Sequence, residues 1–176
     1  AFFLSVGTIE PRKNLLRVFE AFRAGRRASH FDWPLIVVGA SGWKSSREHE
    51  MLDELVKDGL ALYLDYVTDD TLLTLYASAG ALVFPSLYEG FGLPALEAAA
   101  CGCPVITSEH SAMAEFAPEQ TLFVNPEDVS SISDALKAIP SRSEFGSGFD
   151  VSTQAAARTW VCLLYTSPSP RDTEVS

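Results

Sequence analysis

The sequence has 176 residues, 47% of them hydrophobic, which is enough for one full domain with its own core. With 13 Lys and Arg against 23 Asp and Glu, its formal net charge of −10 repels nucleic acid and anionic membrane surfaces unless basic residues gather on one face. The short run Arg23-Ala24-Gly25-Arg26-Arg27 is no such face, because it suits the solvated carboxyl end of a helix. Nucleic acid is therefore not an expected partner.

No apolar stretch approaches the roughly 20 residues that span a bilayer, and no signal-peptide pattern opens the sequence. The expectation is a cytoplasmic protein without an integral membrane segment, at most peripheral to the inner membrane. Cys101, Cys103 and Cys162 lack zinc-like spacing, and His30, His49 and His110 lie far apart, so no metal site is expected. Cys101 and Cys103 read as buried, reduced thiols.

Taken in chain order, Phe2-Phe3-Leu4-Ser5-Val6-Gly7 reads as a buried strand with no methionine ahead of it, which predicts missing sequence upstream. A helical stripe of Leu15, Leu16, Phe19 and Phe22 follows, then the strand Leu35-Ile36-Val37-Val38 and a helix carrying Met51, Leu52 and Leu55. Leu60-Ala61-Leu62-Tyr63-Leu64 is the next strand. Asp69 and Asp70 open a helix with Leu72, Leu73, Leu75 and Tyr76 inward. Ala81-Leu82-Val83-Phe84 precedes a helix started by Pro94, whose Ala95, Ala98, Ala99 and Ala100 form a small-residue face for close packing. Pro104-Val105-Ile106 and Thr121-Leu122-Phe123-Val124 are the last strands, and Asn125-Pro126-Glu127-Asp128 leads into a final helix.

The strand runs are short and nearly continuous in apolar residues, the pattern of strands buried on both faces. Strand and helix alternate with crossovers long enough to keep neighbours parallel. This predicts an α/β fold, a Rossmann-like doubly wound parallel sheet of about six strands, with its ligand crevice at the carboxyl ends of the strands.

From Ser141 to Ser147 the sequence turns polar, marking the end of the packed region. Cys162-Leu163-Leu164-Tyr165-Thr166-Ser167-Pro168-Ser169-Pro170-Arg171-Asp172 has no period and two prolines. It resembles, residue for residue, one reading frame of a transposase adapter used in preparing sequencing libraries. Residues 1–140 are thus expected to form the domain, 141–161 a truncated connection, and 162–176 an artefactual, disordered tail.

The strongest chemical signal is Pro85-Ser86-Leu87-Tyr88-Glu89-Gly90-Phe91-Gly92-Leu93-Pro94-Ala95-Leu96-Glu97. Gly90 and Gly92 admit a ligand close to the backbone, and Pro94 starts a helix whose free amides and dipole favour a phosphate. Glu89 and Glu97, separated by the loop and the first helical turn, can flank one ligand, their carboxylates accepting hydrogen bonds from sugar hydroxyls.

This stretch, with Gly102-Cys103-Pro104-Val105-Ile106, closely resembles the C-terminal domain of GT-B glycosyltransferases of family 4, also called group 1. Val6-Gly7-Thr8-Ile9-Glu10-Pro11-Arg12-Lys13-Asn14 and Gly39-Ala40-Ser41-Gly42-Trp43 match two further loops of that domain. The resemblance runs from about Phe2 to Ile139, and the mannosyltransferase-type members that build bacterial surface polysaccharides are the most similar.

The resemblance implies a donor-binding domain of a retaining glycosyltransferase. Its donor is a GDP- or UDP-linked sugar, mannose first, and no cofactor is tightly bound. The glycan or lipid-linked acceptor would be held by an absent N-terminal domain, so the fragment alone is expected to be inactive. Lys13 matches the lysine that contacts the donor diphosphate, with Arg12 beside it. Thr8 stands where many relatives carry an arginine after the glycine equivalent to Gly7. Glu89 matches the carboxylate near the donor sugar, and Glu97 the one that accepts from ribose hydroxyls. Gly90 lies between them, and Phe91, Gly92 and Leu93 match the loop whose amides meet the phosphates. Tyr66 and Val67 end a strand where relatives touch the base, though Tyr66 could equally pack on the following helix. His110 reads as an ordinary loop histidine. A non-catalytic nucleotide-binding domain, a nucleotide-sugar epimerase of the same fold and a glycogen-phosphorylase-like enzyme remain alternatives, because fold alone does not set function.

Overall fold

A computed structural model describes residues 1–109 and 121–141, the side chain of Ser141 excepted. His110, Cys162 and both predicted segments after Ser141 lie outside these residues.

Six strands form the sheet: β1 (Phe3–Val6), β2 (Leu35–Val38), β3 (Ala61–Leu64), β4 (Ala81–Phe84), β5 (Val105–Ser108) and β6 (Thr121–Val124). Among the described residues five α-helices connect or follow them: α1 (Leu15–Arg27), α2 (Ser46–Lys57), α3 (Asp69–Ser78), α4 (Leu93–Ala100) and α5 (Val129–Ser141). Each strand pair is parallel and the spatial order is β3-β2-β1-β4-β5-β6. The sheet is the doubly wound one that the alternating pattern predicts, and the order reverses direction between β1 and β4.

The period of two along each strand sorts the core into two layers. Phe3, Leu35, Val37, Ala81, Val83, Ile106 and Val124 face Leu15, Val18, Phe19, Phe22, Leu52, Leu55, Ile132, Leu136 and Ile139 of α1, α2 and α5. Leu4, Val38, Leu82, Phe84 and Val105 face Tyr76, Ala95 and Ala98 of α3 and α4. Each large side chain fully removed from water contributes about 1.5–3 kcal/mol, so both layers are needed to hold the sheet between them. Around Phe3, the rings of Phe22, Phe31 and Trp33 pack at centroid separations of 6.4, 5.0 and 5.3 Å.

Four details differ from the sequence reading or add to it. The strands at the two edges, β3 and β6, are not buried on both faces: Leu62 and Phe123 are exposed, because each edge strand has a neighbour on one side only. On α1 the inward stripe includes Val18, while Leu16 is only half-buried. Thr68 caps α3 by accepting the Thr71 N–H at 3.3 Å, so the cap lies one residue ahead of the acidic pair, which occupies the first turn and favours the dipole. Ala95 and Ala98 form the close-packed face of α4, whereas Ala99 and Ala100 are half-buried. Cys101 and Cys103 are buried free thiols. Among the described residues no helix is long and apolar enough to cross a membrane.

Candidate functional site

Because every strand is parallel, the loops after β1, β2, β3 and β4 emerge on one edge of the sheet. They differ in how they are joined. Beyond β1 and β2 the backbones stay zipped: Gly7 N–H donates to Val38 O, Ile9 N–H to Ala40 O and Gly42 N–H to Ile9 O, at 2.9 to 3.0 Å. Gly39, at φ 145°, sits so close to this ladder that a Cβ there would lie 2.2 Å from Gly7 O. Between β1 and β4, in contrast, strand register ends at Leu4 and Leu82. The switch point therefore lies between β1 and β4, and the crevice in which ligands of open α/β sheets bind is expected between their loops.

Lys13 and Glu89 meet in that crevice. Pro11–Lys13 form a tight turn after β1, and the Lys13 ammonium lies 2.6 Å from Glu89 Oε1 and 4.6 Å from the centre of the Phe84 ring. Both side chains are almost buried, at 9% and 8% exposure. Arg12, nearly half-exposed, reaches Glu89 Oε2 at 3.1 Å and Glu10 at 2.6 Å. The backbone joins the two loops as well, with Leu87 N–H donating to Arg12 O at 2.8 Å. The two cations expected near a diphosphate and the carboxylate expected near a sugar are thus one ion-paired group.

Asn14 fixes this turn, a role that sequence reading missed. It adopts a left-handed conformation, φ 62°, and its buried side chain donates to Pro85 O at 2.9 Å and Pro126 O at 2.7 Å. One amide so ties the loops after β1, β4 and β6. The available signal was an asparagine directly before a helix, since asparagine tolerates the left-handed region. Its partners lie 71 and 112 positions away and have no local signature.

At the other end of the glycine loop, Gly92 caps α4 at φ 69°, the left-handed region that favours glycine. Gly90 differs: a Cβ there would meet nothing within 4 Å. Packing does not require glycine at position 90, and the open space beside it is available to a ligand. Phe91 and Leu93 expose their side chains on this edge, as does Tyr88. Glu97 is 4% exposed and accepts a hydrogen bond from Tyr76 OH of α3 at 3.0 Å. Tyr76, read in the sequence as a core residue, is also the partner that orients the Glu97 carboxylate. Only the polar tip on an otherwise apolar stripe could have signalled it.

Thr8 lies exposed beside the β1–β2 ladder. Tyr66 is 81% exposed, so it does not pack on α3, whereas Val67 is half-buried against the core layer of α3 and α4. Nearby, Tyr63 OH donates to Gly39 O at 3.1 Å and to Asp65 at 3.3 Å, and burial, followed by the Asp65 charge, raises its pKa. A surface hollow of about 390 Å³ lined by Arg26, Ser29, Phe31 and Asp32 holds none of the expected site residues, being formed by the end of α1 and the loop that leads into β2.

Cations, a glycine loop and a helix N-terminus thus gather at the switch point of a Rossmann-like α/β sheet. The chain matches the family model described as "Glycosyl transferases group 1" over residues 1–146, and it belongs to that family. It is 39% identical over 130 residues to "O-antigen chain mannosyltransferase B" of Escherichia coli, covering 74% of this chain and 34% of that protein. With "O-antigen chain mannosyltransferase RfbU" of Salmonella typhimurium it shares 35% over 139 residues, 78% of this chain and 38% of the relative. The chain thus spans little more than a third of these relatives. Among solved structures, the "C-terminal Domain of Glycosyl Transferase Group 1 Family Protein (LpcC)" from Francisella tularensis superposes with a TM-score of 0.69 at 23% identity, covering 95% of this chain and 87% of that one.

Proposed function

We propose that residues 1–140 are the donor-binding, C-terminal domain of a family 4 retaining glycosyltransferase. The whole protein would transfer a sugar, mannose first among the candidates, from a nucleoside-diphosphate sugar to a glycan or lipid-linked acceptor. It would work in the cytoplasm or at the inner face of the membrane. The observation that carries this reading is the Lys13–Glu89 contact across the switch-point crevice, 2.6 Å long and joined by Arg12.

As the bond from the anomeric carbon to the diphosphate oxygen breaks, its electron pair stays on the phosphate. Lys13, Arg12 and the first turn of α4 then face more negative charge than in the bound donor, and so stabilise the transition state more than the ground state. Glu89 orients sugar hydroxyls and Glu97 the ribose, while Gly7, Thr8 and the Gly90–Leu93 loop meet the phosphates and Tyr66 with Val67 the base. Mannosyltransferase relatives at 35–39% identity support mannose, and through it GDP, as first choices.

Calorimetry of the 176-residue chain with GDP and UDP tests this. One of them is expected to bind with a dissociation constant below about 1 mM, equivalent to roughly 4 kcal/mol. GDP-mannose and UDP-glucose are expected to yield no transfer by this chain, which spans little more than a third of its mannosyltransferase relatives. Absence of binding by both nucleotides, or measurable transfer by the chain, would overturn the respective claim.

A further inference from the structure

We infer that Glu89 discriminates between the intact donor and the spent nucleoside diphosphate by exchanging ion-pair partners; this rests on the donor reading above. In the free domain Glu89 holds both cations that a diphosphate needs, Lys13 at 2.6 Å and Arg12 at 3.1 Å. Lys13 cannot simply turn elsewhere. Its ammonium is enclosed by Glu89 and the Phe84 ring, and its stem passes 3.3 Å from where a Cβ on Gly7 would stand. A diphosphate that engages Lys13 therefore either displaces the carboxylate or brings its own charge beside it. At 8–9% exposure water and salt screen that repulsion poorly.

What arrives with the phosphates decides how well the displaced carboxylate is compensated. An intact donor brings sugar hydroxyls, which donate to Glu89 and replace the bonds it gave up. A diphosphate without its sugar brings only acceptors, and Glu89 loses its partners with nothing in return. The same group thus weakens the bare diphosphate relative to the donor. After transfer it is free to return to Lys13, which favours release of the product. The trade uses only side chains already in the crevice.

The experiment is calorimetry of the 176-residue chain and its Glu89→Gln variant with GDP and with GDP-mannose, without acceptor. Glutamine keeps the shape and removes the charge. GDP is expected to bind about tenfold tighter to the variant, a change of about 1.4 kcal/mol, while GDP-mannose gains less than threefold. Equal gains for both ligands would make Glu89 a plain competitor and overturn the discrimination. Unchanged or weaker GDP binding with an intact melting transition would overturn the exchange itself. If Glu89→Gln does not fold, Glu89→Asp serves, since its carboxylate retreats from Lys13 by one methylene; GDP is then expected to gain about threefold, and no gain overturns the idea. Parent chain that binds neither GDP nor UDP would instead sink the donor reading, and this inference with it.

Discussion

Tyr76 reaches Glu97 from α3, and the 3.0 Å hydrogen bond is buried. A hydroxyl bonded to a charged acceptor contributes about 1.5–3 kcal/mol, so Tyr76→Phe should lower the melting temperature while leaving the fold intact. A structural role alone would stop there. If Glu97 serves ribose hydroxyls, the variant should also lose several-fold in GDP affinity and nothing for 2′,3′-dideoxy-GDP, compared by calorimetry; equal losses for both would remove Tyr76 from the site. Residues of this kind mark where sequence reading ran out. Glu89 and Gly92 announce themselves by type and spacing after a strand end, and Lys13 through the family resemblance of its loop. Tyr76 and Asn14 act through partners that only the folded chain brings near, and Tyr76 satisfies the helical apolar stripe as well as any core residue.

Among the elements, the turn before α1 depends most on one side chain. Asn14 holds a left-handed backbone and bonds two carbonyls from distant loops, so Asn14→Ala suffers twice. It loses those bonds, about 1–3 kcal/mol for each buried carbonyl left unpaired, and strains the backbone by about 1–2 kcal/mol. Asn14→Gly loses only the bonds. Urea unfolding should therefore rank parent, Asn14→Gly, Asn14→Ala from most to least stable, and both variants should bind GDP more weakly because Lys13 is no longer fixed. A glycine variant as weak as alanine would assign the whole effect to the carbonyls. The strands themselves were readable as short apolar runs. Their exposure was not, since periodicity cannot tell an edge strand such as β3 from an inner one such as β1 until the order across the sheet is known.

For the molecule as a whole, two buried thiols tie stability to alkaline pH. Burial first, and then the Glu97 charge, pushes Cys101 up to about 11 from 9.0. Burial pushes Cys103 to about 12, against a lowering backbone hydrogen bond at Leu82 and with a smaller raising contribution from Cys101. Above pH 9 the unfolded chain loses these protons while the folded chain keeps them, so the unfolded state binds fewer protons and stability falls as pH rises towards 11–12. Below pH 9 the two thiols contribute no slope. Melts from pH 8 to 10.5 should show this decline, and the Cys101→Ala, Cys103→Ala double variant should show a shallower one; identical slopes would mean that other groups cause it.

The zipped ends of β1 and β2 give the crevice walls different lifetimes. Gly7, Ile9 and Gly42 are bonded as if the strands continued, so that wall opens only when the sheet opens, on the slow scale of global unfolding. Across from it, Glu89 and the glycine loop are joined to the β1 loop largely through side chains, which rearrange far faster. Sugars of differing shape would then be accommodated by adjustment of one wall against a fixed reference. On the proposed donor reading, sugar preference can drift by changes from Leu87 to Glu89 while the zipped β1–β2 wall stays where it is.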